Sequence, residues 1–176
     1  MAHTQVSDSE TAEQLKAFYK AFFSGGNPRS ARLVEQFRHV SHQMYRLGEA
    51  SLNESGLSYA QYRTLMLLFF EEWRGNCGGM NPSKISERQG TGRNNISALV
   101  RGLEEDGLVE RRLDEDDRRR FNIVLTDEGR QRVRQLAALH MKSMDALFAA
   151  FSDEEMETLR ALLTRLNASA ESCLEE

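Results

Sequence analysis

Between Arg88 and Leu103 the chain carries three arginines, Arg88, Arg93 and Arg101, and no acid at all. The same stretch holds Asn94, Asn95, Ser97 and Ala98. On one exposed surface these types can read the edges of base pairs. Arginine bridges guanine, asparagine bridges adenine, serine adapts to either, and the alanine methyl can meet the methyl of thymine. A run without acids also avoids repulsion by phosphate.

A second cluster, DEDDRRRF from Asp114 to Phe121, sets four acids directly against three arginines. The acids can serve a turn by hydrogen-bonding nearby backbone, and Asp117 can hold the neighbouring guanidinium groups. A third set is His39 and His42, three residues apart, with Glu35 four before His39 and His140 far along the chain. That could begin a metal site, although a three-residue histidine spacing also arises by chance, and no metal or other cofactor is expected. No glycine-rich phosphate loop, nucleophile elbow or paired ligand motif is visible. The stretch RGNCGGMN (Arg74 to Asn81) has glycines and Cys77 but no base nearby. An enzyme is not expected.

The elements that must position these residues follow from periodicity and punctuation. Leu15, Phe18, Tyr19 and Phe22 fall at helical spacing in an N-terminal arm that SGGNP (Ser24 to Pro28) ends. Leu33, Phe37, Val40, Met44 and Leu47 then recur in steps of four and three, the seam of a long amphipathic helix. Asn53 to Gly56 closes it. Ser58 can cap a helix whose interior, LMLLFF (Leu65 to Phe70), is apolar nearly all round and so is expected to be buried. Asn81 before Pro82 marks a short helix reaching Gln89, and Gly90 to Gly92 forces a tight turn. Ile96, Leu99, Val100 and Leu103 give the next helix its inward face, which leaves Arg93, Asn94, Asn95, Ser97, Ala98 and Arg101 outward.

After Gly107 the period changes to two, and LVERR and FNIVLT read as strands of a hairpin whose polar tip is DEDDRRR. Thr126 can cap a long helix carrying Val133, Leu136, His140, Met141, Met144, Leu147 and Phe148 on one face. Ser152 with Glu155 has capping-box spacing and opens a last helix with Met156, Leu159, Leu163, Leu166 and Ala170 in heptad-like steps. Two short helices around a glycine turn, followed by a hairpin, form a winged helix-turn-helix, whose second helix enters the major groove of double-stranded DNA.

Bulk properties are compatible with this. Forty percent hydrophobic residues in 176 supply a core, and no apolar run approaches the roughly 18 residues of a membrane span. The start, MAHTQVSDSE, lacks the pattern of a secretion signal. Cys77 and Cys173 are far apart and form neither a disulfide framework nor a zinc motif. A cytoplasmic location is therefore expected. The net charge of −4 alone does not favour a nucleic-acid partner. Its distribution matters more, since a near-neutral chain can present a basic face.

Taken in order, LSYAQYRTLMLL, NPSKISERQG, NNISALVRGLEEDGLVERR, DEDDRRR and VLTDEG resemble the MarR family of bacterial transcription regulators from about Leu57 to Gly129. The resemblance implies a mainly α fold with a small β-hairpin wing (α+β), flanked by N- and C-terminal dimerisation helices. Residues 1–28 are then an arm, 29–56 a dimerisation helix, 57–127 the DNA-binding domain and 128–176 the C-terminal dimerisation helices. It implies a homodimer, in relatives most often a repressor, on a pseudo-palindromic operator. Base contacts fall on Asn94, Asn95, Ser97 and Ala98 with Arg93 and Arg101 nearby, and backbone contacts on Ser83 and Lys84. The wing contacts are Arg118 and Arg119, preceded by Asp117. Relatives bind anionic or phenolic effectors in a cleft that Arg38, His42, Tyr45 and Arg63 are placed to line. This sequence departs from the family pattern in its longer, glycine-rich loop before Asn81 and in its N-terminal arm. A metal- or redox-responsive regulator of the same fold, or a winged-helix module for protein contacts, are the alternatives.

Overall fold

The computed structural model describes residues 28–114, 117 and 119–175, together with 13, 14, 17, 18 and 21 of the preceding segment. Those five are helical, and Phe18 is half exposed. Leu15, Tyr19 and Phe22 of the predicted arm lie outside the described residues. The chain forms two compact units, Met1–Leu47 and Gly48–Glu176. The elements are α1 (Pro28–Ser51), α2 (Tyr59–Trp73), α3 (Pro82–Gln89), α4 (Arg93–Glu105), β1 (Val109–Leu113), β2 (Phe121–Leu125), α5 (Asp127–Phe148) and α6 (Asp153–Glu175). Among the described residues no helix is long and apolar enough to cross a membrane.

In the first unit α1 carries the stripe of Leu33, Phe37 and Val40, each 41–59% exposed along with Val34. In the second unit each helix start follows from a capping residue. Ser58 accepts from the Gln61 amide while the Gln61 side chain accepts from the Ser58 amide, a full capping box. Asn81 accepts from the Lys84 amide with proline at the first helical position. Thr126 accepts from the Gly129 amide and donates to the carbonyl of Gly107, so one hydroxyl both starts α5 and ties it to the turn after α4. Ser152 and Glu155 form the predicted box at α6.

The core lies where α2 meets α3, α4, α5 and β2. Tyr62, Leu65, Ile85, Ile96, Val100, Leu103, Ile123 and Val133 are at most 1% exposed, each aliphatic one contributing roughly 1.5–3 kcal/mol by burial. One expectation is corrected. The run Leu65 to Phe70 is not buried all round: Leu65 and Leu68 are buried, Met66, Leu67 and Phe69 partly so, and Phe70 is 45% exposed. The last turn of α2 runs past its packing partners. Phe70 therefore stacks on the exposed Trp73 at 6.1 Å, with Arg74 over its ring at 5.7 Å.

Strands β1 and β2 pair antiparallel from Val109↔Leu125 to Leu113↔Phe121. A one-residue bridge between Met80 and Ile123 adds a third segment against the middle of β2. It places the end of the glycine-rich loop against β2, with Met80 5% exposed. Inside the unit, the Gln89 amide at the end of α3 donates to the hydroxyl of Thr64 on α2 at 3.0 Å, and that hydroxyl donates to the carbonyl of Ala60. Thr64 is fully buried. The fold is mainly α with a two-stranded wing, a winged helix-turn-helix.

Candidate nucleic-acid interface

Helix α4 follows a tight turn because Gly90 takes the left-handed conformation, φ 61°, that ends α3. Its inward face, Ile96, Val100 and Leu103, is locked into the core with Leu99 partly buried. Rotation of the helix about its axis is thereby fixed, and Asn94, Asn95, Ser97, Ala98 and Arg101 are all exposed. Arg101 has no carboxylate within ion-pair reach among the described residues. Arg93 begins the helix; its side chain lies outside what is described.

The wing tip is built by its acids. One Asp114 oxygen accepts from the Asp117 amide at 2.9 Å and the other from the Asn122 side chain at 2.9 Å. Asp114 also donates its amide to the carbonyl of Arg120, which closes the hairpin. Asp117, less than a third exposed, accepts from the Arg119 amide and from Arg119 Nε, both at 3.1 Å. Its second oxygen lies 3.2 Å from Arg120 Nε. One carboxylate thus orients two guanidinium groups. Arg118 lies outside the described residues. The other hairpin arginines are paired elsewhere: Arg111 with Glu104 at the end of α4 at 3.0 Å, and Arg112 with Glu110 on the strand itself at 2.6 Å. Arg111 also lies over the Phe121 ring at 4.8 Å.

These parts converge. A concavity of about 580 Å³ is lined by Asn81, Pro82 and Ser83 at the start of α3, Ser97 on α4, and Arg119, Arg120 and Phe121 on the wing. Exposed Lys84 follows Ser83 but does not line it. The structure therefore brings Ser83, Ser97 and Arg119 together. Sequence reasoning did not find Arg120 or Phe121 here. The signal available was hairpin parity, since Phe121 pairs opposite Leu113 and Arg120 closes the turn.

The residues considered for an effector divide differently. Arg38, His42 and Tyr45 line one concavity on α1 with Glu35, Phe37, His39 and Ser41. Arg63 does not line it and belongs to the second unit, where its guanidinium lies 6.0 Å from the Tyr59 ring. Among the described residues no three His, Cys, Asp or Glu side chains converge as a metal site requires. Glu35 pairs with Arg38 at 3.1 Å, and His39 lies 3.4 Å from the Gln43 amide nitrogen. His140 packs against Tyr59 and Tyr62, ring centroids 5.4 and 5.1 Å away, with its Nδ1 3.4 Å from the Ser51 hydroxyl. Burial there pushes its imidazole below the usual value. Cys77 and Cys173 are both free and exposed.

A helix-turn-helix whose second helix turns outward a face without acids as far as Leu103, with an arginine-tipped wing, defines a DNA-binding regulator of the winged-helix class. The sequence profile described as the MarR family matches residues 55–120, and the chain belongs to that family of transcriptional regulators. It is 31% identical over 125 residues to the HTH-type transcriptional repressor YetL of Bacillus subtilis (strain 168), covering 70% of this chain and 72% of YetL. Among solved structures it is similar to the S. aureus MepR–DNA complex, with a TM-score of 0.68 and 28% identity over 77% of this chain and 96% of that one. It is also similar to CouR from Rhodococcus jostii RHA1 bound to p-coumaroyl-CoA, with a TM-score of 0.66 and 26% identity over 78% and 92%.

Proposed function

We propose that this protein is a homodimeric repressor in the cytoplasm that reads a pseudo-palindromic operator and is released from it by a small anionic or phenolic effector. The observation that carries the reading is the convergence of the exposed α4 face, the start of α3 and the arginine tip of the wing around one concavity. Asn94, Asn95, Ser97 and Ala98, with Arg93 and Arg101, take the base edges. Ser83 and Lys84 take the backbone, and Arg118 and Arg119 take the minor groove beside it, Arg119 braced by Asp117. The repressor YetL and the MepR–DNA complex support this by likeness.

Dimerisation is supported by the apolar stripe of α6, where Met156, Leu162, Leu163 and Leu166 are 36–53% exposed and no residue is buried. The effector reading is supported by the concavity with Arg38, His42 and Tyr45, and by likeness to CouR with its bound CoA ester.

The test is selection of bound duplexes from a random pool, followed by mobility shifts across a salt series. An inverted repeat with half-sites about one helical turn apart, and binding that weakens steeply with salt, are expected. Absence of binding at low salt would refute the reading. Addition of p-coumaroyl-CoA or phenolic acids to the complex tests release.

A further inference from the structure

The sequence assigns Arg118 and Arg119 to the wing contact and leaves Arg120 without a role. In the structure Arg120 lines the crevice between the wing and the reading helix, opposite Ser97 of α4 and Ser83 of α3. Its side chain is 70% exposed, and its Nε lies 3.2 Å from the Asp117 carboxylate. Arg119 meets the other oxygen of the same carboxylate, also through Nε. Held in this way, each guanidinium keeps its pair of Nη groups for a second anion. No carboxylate lines the crevice among the described residues.

Duplex geometry supplies that anion. When α4 lies in the major groove and the wing tip in the adjacent minor groove, the phosphodiester strand between the two grooves must cross the crevice. We infer that Arg120 is a DNA-backbone residue. It grips the strand that separates the two grooves, with Asp117 fixing the direction of its guanidinium. This rests on the DNA-reading proposal above and names a contact within it. Arg120 then adds affinity without regard to sequence, whereas α4 supplies discrimination.

The experiment compares the parent with Arg120→Gln, Arg120→Lys and Arg160→Gln by fluorescence anisotropy on a random-sequence duplex about three helical turns long. Arg160 pairs with Glu157 on α6, so its variant removes the same charge away from the wing. Arg120→Gln is expected to weaken binding about eightfold per protomer in roughly 0.1 M salt and about fourfold in roughly 0.2 M, lowering the salt slope by about 0.9 per protomer. Arg120→Lys should keep the parent slope, and Arg160→Gln should match the parent throughout. If the parent itself fails to bind, the DNA-reading proposal falls and this inference with it. If the parent binds steeply and Arg120→Gln keeps its slope, only the inference falls and Arg120 merely braces the turn. Equal losses from Arg120→Gln and Arg160→Gln would also overturn it, as an effect of net charge.

Discussion

Gly79→Ala is the perturbation that most directly tests how the wing is anchored. Gly79 has φ 78°, and a Cβ there would lie 2.3 Å from the carbonyl oxygen of Ile123 and 2.5 Å from Val124 Cγ1. That oxygen accepts the Met80 amide at 3.0 Å, and the Ile123 amide donates back to Met80 at 2.8 Å. A carbon–oxygen contact relaxes only at about 3.3 Å. The strand must therefore retreat by about 1 Å, which stretches the bridge beyond hydrogen-bond range. Two lost bonds cost about 1 kcal/mol each, and the left-handed backbone adds about 1–2 kcal/mol. The expected loss is roughly 3–4 kcal/mol, a large share of the 5–15 kcal/mol typical of a native fold. Gly90→Ala is the control. It has φ 61° but nothing within 4 Å of its Cβ, so it carries the backbone strain alone. Urea unfolding followed by circular dichroism, with protomer concentrations held equal, measures both. A Gly79→Ala loss within about 0.5 kcal/mol of the Gly90→Ala loss would refute the reasoning, because the clash would then cost nothing.

Three further expectations concern other parts of the molecule. Asn95→Ala should cost about 1–3 kcal/mol on the selected operator and little on random duplex; equal losses on both would move Asn95 from base to backbone contact. Leu163→Glu places a charge in the α6 stripe and should shift the protein toward monomer in sedimentation velocity, and an unchanged dimer would place the interface elsewhere. Burial holds the His140 imidazole below its usual value, so the unfolded chain takes up its proton first as pH falls. Stability should therefore decline as pH drops through about 6.5 and level off below the folded value. His140→Gln should flatten that limb of the melting temperature against pH, and persistence of the full decline would exonerate His140.

Local chemistry made most of the second unit legible in the sequence. Ser58, Asn81–Pro82, Thr126 and Ser152–Glu155 each announce a helix by a hydrogen bond spanning three residues. The inward face of α4 was equally readable, because burial there repeats with the helical period, whereas burial on the strands does not alternate: Val109 alone is buried in β1, and Ile123, Val124 and Leu125 are all buried in β2. The Met80–Ile123 bridge had no such signal, since a single-residue pairing carries no period. For the same reason the glycine-rich loop read as an insertion rather than as the wing's anchor. The exposure of Phe70 and Trp73 was hidden because composition records hydrophobicity and not where neighbouring elements stop. The place of Arg120 depends on three segments meeting, which spacing along the chain cannot express.

The bond between the buried Thr64 hydroxyl and the Gln89 side chain has a mechanical meaning. It pins the end of α3, just before the turn into α4, to the middle of α2. Helix α4 is 13 residues long, and at 1.5 Å per residue it extends about 20 Å from that pin. A tilt of only about 5° at the pin displaces Ser97, about 6 Å along the helix, by roughly 0.5 Å and Arg101, about 12 Å along it, by roughly 1 Å. Hydrogen bonds to base edges tolerate only a few tenths of an ångström. A small swing of α2 is thus sufficient gearing to move the outward face of α4 by more than such bonds allow.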